Sequence, residues 1–316
     1  QVGRSFRNEI SPRKGLVRMR EFTQMELEYF FNPSEPGFEG FGKVADSRMT
    51  MKITGELRQM TAAELVDSKI AANQIMAYFL ARQWDFYGEV GIDAKRMHLR
   101  VLDAQEVPHY SKGNIDMEVE TSFGLIETIG NAYRTDFDLS QHSKHCGTDL
   151  SVFVEAEKKK VMPHVFELSM GVDRLFYCIL EHCLRDKDEK DAAGNWKLGT
   201  GKEWEWFDFP PAIAPYHVAV FPLMSRDGLD AKAVEVTTML RQSGLDVSYR
   251  DSGSIGRRYA RADEIGVPYA LTIDYDTLSN GTVTIRYRND GKQERIKIQD
   301  AAERIKEDMR KGRVTL

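Results

Sequence analysis

Residues 4–9 have extended character, residues 10–15 carry the turn chemistry Ser-Pro-Arg-Lys-Gly, and apolar positions return over 16–31. That order predicts strand, loop and strand. At Thr61 the string Thr-Ala-Ala-Glu forms a capping-box pattern, and Leu65, Ile70, Ile75, Phe79 and Leu80 recur at helical spacing. One long helix is therefore expected from Thr61 to about Tyr87. Strands are predicted over 97–104, 117–123, 125–130, 150–155 and 165–169, and a helix over 171–184. Residues 185–206 turn polar and charged, with glycines and three tryptophans, and Phe209-Pro210-Pro211 then halts regular structure. Beyond that break the pattern resumes as strand 218–222, helix 231–243, strand 247–249, helix 255–265, strand 269–273, two polar strands near 282–288 and 295–298, and a closing helix from Asp300. Such alternation implies a small α/β domain with a partly parallel sheet. Two domains are expected, 1–209 and 210–316.

The length agrees with that division, because 316 residues exceed one ordinary compact domain and suffice for two cores. A formal net charge of −5 excludes a uniformly basic coat, so any nucleic acid must meet a local basic surface. Cys146, Cys178 and Cys183 are irregularly spaced and give neither a disulfide framework nor a paired Cys-x-x-Cys knuckle, which suits a reducing, cytoplasmic setting. No apolar run approaches bilayer length, and the opening Gln-Val-Gly-Arg-Ser-Phe-Arg reads as a strand inside a domain rather than a signal peptide.

Arg7 and Glu9 stand two apart on the first extended segment and should share a face, with Arg13, Arg18 and Arg20 crowding the loop and returning strand. Arginines gathered above a sheet suit a polyphosphate; a hairpin held by charge pairs is the plainer alternative. The strings themselves narrow the choice. Phe6-Arg-Asn-Glu-Ile-Ser-Pro-Arg13, then Arg18-Met-Arg-Glu-Phe-Thr23 and Glu26, resembles motif 2 of class II aminoacyl-tRNA synthetases in its glycine-specific, archaeal and eukaryotic form. Phe166-Glu-Leu-Ser-Met-Gly-Val-Asp-Arg174 resembles motif 3, with Asp173 where that family usually has Gly. Residues 251–266, Asp-Ser-Gly-Ser-Ile-Gly-Arg-Arg-Tyr-Ala-Arg-Ala-Asp-Glu-Ile-Gly, resemble the signature of the anticodon-binding domain of the same enzymes. Motif 1, which builds the dimer interface, would lie upstream of Gln1.

The resemblance implies an α/β protein: an α+β catalytic domain on a class II antiparallel sheet, followed by an α/β anticodon-binding domain. It implies ATP-dependent attachment of glycine to tRNA(Gly) through a glycyl-adenylate, in a homodimer. Arg7 and Arg174 would be the catalytic pair. Arg7 would grip the α-phosphate, Glu9 the adenine amino group, Phe22 the base, and Arg18 and Arg174 the outer phosphates. Asn8, Met19 and Thr128 complete the ATP site, and Glu127 would help hold magnesium, although a strand acid also serves as a plain solvated residue. Glu26, Glu167 and Ser169 match positions that surround glycine, where two carboxylates suit an ammonium group. Arg257, Arg258 and Arg261 lie on a helix entered through Gly253 and Gly256 and would meet the anticodon, with Asp263 and Glu264 as balancing acids. Two alternatives stand beside this reading: a synthetase-like RNA-binding or partner-binding protein without catalysis, and a synthetase for threonine or proline. Retention of Arg7, Glu9, Glu26, Glu167 and Arg174 favours catalysis. His142, His145 and Cys146 lack a second ligand pair, which argues against zinc.

Overall fold

The computed structural model describes residues 1–35, 37–185 and 204–311. The chain divides into two bodies, Gln1–Gly88 with Ile92–Cys178, and Glu89–Gly91 with Ile179–Leu316. In the first, β1 (Val2–Phe6), β2 (Glu21–Phe31), β3 (Arg48–Ile53) and β4 (Glu56–Thr61) precede α1 (Ala62–Asp67) and α2 (Gln74–Glu89). Then come β5 (Met97–Val101), β6 (Asn114–Thr121), β7 (Gly124–Thr135), α3 (Phe137–Cys146), β8 (Val152–Val154), β9 (Lys159–Val161), β10 (His164–Gly171) and α4 (Val172–Cys183), whose last turns belong to the second body. Eight strands form one sheet in the order β1-β2-β10-β7-β6-β5-β3-β4, antiparallel except for the parallel β3–β5 pair.

Alternation along β10 decides which residues face what. Phe166, Leu168 and Met170 point to the side where α2 packs, with Phe166 stacked on Phe79 at 5.4 Å, whereas Glu167 and Ser169 point to the other side. Helix α2 buries Ile75, Met76, Leu80 and Tyr87, and its Gln83 amide pairs reciprocally with that of Asn131 on β7 at 2.6 and 3.1 Å. A polar pair out of water is thereby satisfied at both ends.

The single helix expected from Thr61 is two helices. The capping box forms as predicted, with the Thr61 hydroxyl accepting from Glu64 N–H and the Glu64 carboxylate accepting from Thr61 N–H. Lys69 then adopts φ 59°, ending α1, and Asn73 Oδ1 accepts from Met76 N–H at 2.9 Å to start α2. Arg7 and Glu9, expected on a strand, follow it: β1 ends at Phe6, Arg7 N–H still donates to Arg20 O at 2.9 Å, and Glu9 N–H turns back onto Arg7 O at 2.8 Å.

In the second body, β11 (Leu184–Arg185) pairs with β12 (Trp206–Phe207). A five-stranded sheet follows from β13 (Val218–Pro222), α5 (Leu229–Gln242), β14 (Val247–Tyr249), α6 (Ile255–Glu264), β15 (Tyr269–Ile273), α7 (Tyr275–Asn280), β16 (Thr282–Tyr287), β17 (Gln293–Lys297) and α8 (Ala301–Lys311). Its order is β14-β13-β15-β16-β17, with the first three strands parallel and the last two antiparallel. Val218 and Val220 bury with Leu229, Val236, Leu240 and Ile305 on one face, while Ala219 and Phe221 bury with Ala262 on the other. A strand covered on both faces explains the unbroken apolar run of β13. Arg288, just past β16 and 3% exposed, donates to Asp208 Oδ1 at 3.0 Å, Phe209 O at 2.9 Å and Gly266 O at 2.7 Å, and lies over the Trp206 ring. Gly266, at φ 80°, sits beneath Phe209 so closely that a Cβ there would fall 2.3 Å from the ring.

Candidate active site

Strand register brings the site together. Ser169 on β10 is opposite Glu26 on β2 and Gly130 on β7, and Gly130 is opposite Asp116 on β6. One row across four strands therefore presents Glu26, Ser169, a gap and Asp116 to the same face. Glu167 stands in the next row, opposite Ala132. The small residues Gly130 and Ala132 leave a cavity of about 330 Å³ on this face, lined in addition by Arg7, Glu9, Met19 and Phe22. That volume lies at the lower end for small-molecule sites.

Cations gather at one end. Arg174 is in the first turn of α4; its Nε donates to Val17 O at 3.1 Å and Nη1 to Glu127 O at 2.6 Å. Asp173, the departure from the family string, accepts Thr23 N–H at 2.6 Å and so ties the start of α4 to β2. The Arg7 guanidinium is 5.8 Å from the Phe22 ring centre, and Arg18 Nε is 3.8 Å from Glu9 Oε2. All of these line the cavity; Asn8 does not. A β-bulge between Met117 and Glu118 gives Thr128 no opposite residue; it is buried and its hydroxyl donates to Met117 O at 3.2 Å. Thr128, expected at ATP, lines the cavity together with Glu127 beside it, while its hydroxyl is held by Met117 O.

Acids gather at the other end. Glu167 Oε2 accepts from Arg134 Nη1 at 2.5 Å, and the same guanidinium donates from Nε to Asp138 Oδ2 at 2.6 Å. The two carboxylates hold Arg134 charged, and Arg134 in turn lowers the Asp138 carboxyl. Ser169 Oγ accepts from the Gln24 amide. Burial, reinforced by the negative charge of Glu127, pushes Asp116 up to about 7. Sequence reasoning passed over Asp116, Gln24, Arg134 and Tyr110; the alternation Asp116-Met-Glu-Val along β6 was the available signal for the first. Asp116 and Glu127, with room left by Gly130, form a carboxylate pair on adjacent strands; among the described residues no group of three or more His, Cys, Asp or Glu side chains could hold a metal. A donor set of that size fits magnesium that takes its other ligands from phosphates and water.

The expected anticodon arginines separate on α6. Arg257 and Arg261, one turn apart, are exposed, whereas Arg258 is 2% exposed. Its Nη1 donates to Pro222 O at 2.6 Å and Arg250 O at 3.3 Å, and Nη2 to Leu223 O at 3.3 Å, so it caps the ends of the parallel strands β13 and β14. Arg258 is therefore unavailable to RNA and is a structural residue, contrary to expectation. Asp263, expected as an acid balancing the α6 arginines, is buried and bidentate with Arg286 at 2.9 and 3.0 Å.

An antiparallel sheet bearing a cavity between motif arginines and strand acids, with a five-stranded α/β body after it, is the plan of a class II aminoacyl-tRNA synthetase with an anticodon-binding domain. A family profile described as "Anticodon binding domain" matches residues 217–308, within the second body. The chain is 35% identical over 382 aligned positions to the glycine–tRNA ligase of Archaeoglobus fulgidus, covering 98% of this chain and 65% of that protein. It is 33% identical to the glycine–tRNA ligase of Methanocaldococcus jannaschii, with 97% and 67% covered, and 33% identical to that of Methanothermobacter thermautotrophicus, with 95% and 65% covered. The chain belongs to the glycine–tRNA ligase family. It spans about two thirds of the length of these curated relatives.

Proposed function

We propose that the full-length protein activates glycine with ATP and transfers it to tRNA(Gly). The observation that carries this reading is that one cavity is lined both by Arg7, Arg18 and Arg174 and by Glu26, Glu167 and Ser169. Glycine's carboxylate must attack the α-phosphorus of ATP, so two anions meet and charge accumulates on the phosphoryl oxygens. Arg7, beside the Phe22 ring, offers a planar fork to that phosphate; Arg174, fixed by two carbonyls, is preorganised for the phosphates that leave. Phe22 supplies a face for adenine and Glu9 an acceptor for its amino group. Glu167 and Glu26 meet the ammonium group, and holding the substrate there turns a bimolecular attack into an oriented one. Magnesium would be held by Glu127 with Asp116 and would supply further phosphate charge neutralisation. Arg257 and Arg261, exposed on α6, are the arginines proposed for the anticodon. A homodimer in the cytoplasm completes the reading.

The test is ATP–pyrophosphate exchange by the full-length protein with glycine, alanine, proline and threonine in turn. Exchange with glycine and not with the other three is expected; robust exchange with any of those three overturns the assignment.

A further inference from the structure

The segment between β5 and β6, residues 102–113, crosses the acidic end of the cavity, and Leu102 and Tyr110 line it. Its ends are pinned. Arg100 at the end of β5 holds Glu106 with both carboxylate oxygens at 2.5 Å, while Lys112 N–H and Ser111 Oγ donate to Tyr133 O at 2.9 and 3.1 Å. Between these anchors His109 meets Phe137 of α3 ring to ring at 5.5 Å, and Tyr110 lies 4.2 Å from the Arg134 guanidinium carbon. All three nitrogens of the Arg134 guanidinium donate at its edges: Nη1 to Glu167, Nε and Nη2 to Asp138 in the first turn of α3. A ring stacked on a guanidinium restricts its rotation and keeps water off its face, which strengthens the ion pair at its edge. The chain of contact runs from a surface segment to Glu167, which both lines the cavity and is ion-paired by Arg134.

Resting on the glycine-activation reading, we propose that Tyr110 is a positioning residue for amino-acid binding. Stacked on Arg134, it fixes the Glu167 carboxylate where the substrate ammonium docks, and the 102–113 segment thereby sets amino-acid affinity. Asp138 is the second leg of the same clamp. Neither side chain takes part in phosphoryl chemistry, so their loss acts on binding shared by ground and transition states.

The experiment is exchange kinetics of the full-length protein with whichever amino acid drives exchange in the wild type, glycine on the reading above. Tyr110→Leu, which keeps bulk and removes the π face, is expected to raise the amino-acid KM roughly tenfold, a change on the scale of one cation–π contact. The kcat and the KM for ATP stay near wild type. Tyr110→Phe restores most of the affinity, and Asp138→Asn reproduces the rise. A merely structural role would lower the fraction of active enzyme and hence kcat, leave KM unchanged, and show no recovery with Phe. An unchanged KM in Tyr110→Leu, or an equal rise in Tyr110→Phe, overturns the proposal while leaving glycine activation standing. Exchange driven by another amino acid overturns the glycine reading and still reads the clamp; exchange with no amino acid overturns both.

Discussion

Arg258→Ala separates a buried arginine from an RNA-reading one. The substitution removes a guanidinium that bonds Pro222 O at 2.6 Å and two further carbonyls at 3.3 Å. Loss of the short, charge-assisted bond costs about 1.5–3 kcal/mol, and the two long bonds less. Truncating the side chain where it packs on Phe221, 5.7 Å from the ring centre, adds about 1 kcal/mol for the cavity. A total of about 3–4 kcal/mol is a large share of a domain's stability of about 5–15 kcal/mol. With a urea m-value of about 1–3 kcal/mol/M, the midpoint should fall by about 1–4 M. Urea unfolding followed by circular dichroism checks this, with Arg257→Ala as the exposed comparison, expected within about 0.5 kcal/mol of wild type. Arg257→Ala should instead weaken tRNA binding and reduce its salt dependence by about one counterion. A wild-type midpoint for Arg258→Ala together with lost tRNA affinity would refute the structural role.

Arg7→Ala should lower glycine-dependent exchange by about two to three orders of magnitude, and a loss under tenfold would show that Arg7 does not meet the reacting phosphate. Burial pushes the folded Asp116 carboxyl up to about 7, above its ordinary value of 3.8, so the folded state binds its proton more tightly and stability declines as pH rises from about 4 through 7. Asp116→Asn should flatten that decline by about 1–2 kcal/mol, allowing for partial solvent screening, as read by unfolding across that pH window; an unaltered profile sinks the assignment. Gly130→Ala places a Cβ in ordinary contact, 3.6 Å from Glu127 Oε1 and 3.8 Å from Asp116 Oδ1. The unfolding midpoint should hold while substrate KM rises, because the methyl fills the gap in the row beside Ser169; an unchanged KM would place the substrate elsewhere.

Where local pattern and burial agreed, the sequence was legible. β13, β14 and β15 lie where their apolar runs place them, and the Thr61 capping box starts α1 as expected. The break after α1 was hidden because Lys69 takes a positive φ without being glycine. The β3–β4 hairpin was overlooked although Met49, Met51 and Ile53 alternate before the Thr54-Gly55 turn. Motif strings located the cavity residues, but not the row that joins them, since register between β2, β10, β7 and β6 is a tertiary property. Arg258 was misplaced by its charge. It falls three residues after Ile255 and four before Ala262, on the stripe of α6 that packs against β13, and that periodicity was the signal that it turns inward.

The clasp formed by Arg288 decides where a C-terminal fragment of this protein can begin. The guanidinium is almost wholly removed from water, and two of its acceptors, Asp208 and Phe209, precede Pro210. A fragment starting after the proline pair would strip away both acceptors and the Trp206 ring, leaving the guanidinium with Gly266 O and its neighbour Asn289. It would also uncover the niche over Gly266 that Phe209 fills. Each hydrogen bond lost from a charged group costs about 1.5–3 kcal/mol, so material for crystallography or RNA titration of this part should retain the chain from ahead of Trp206.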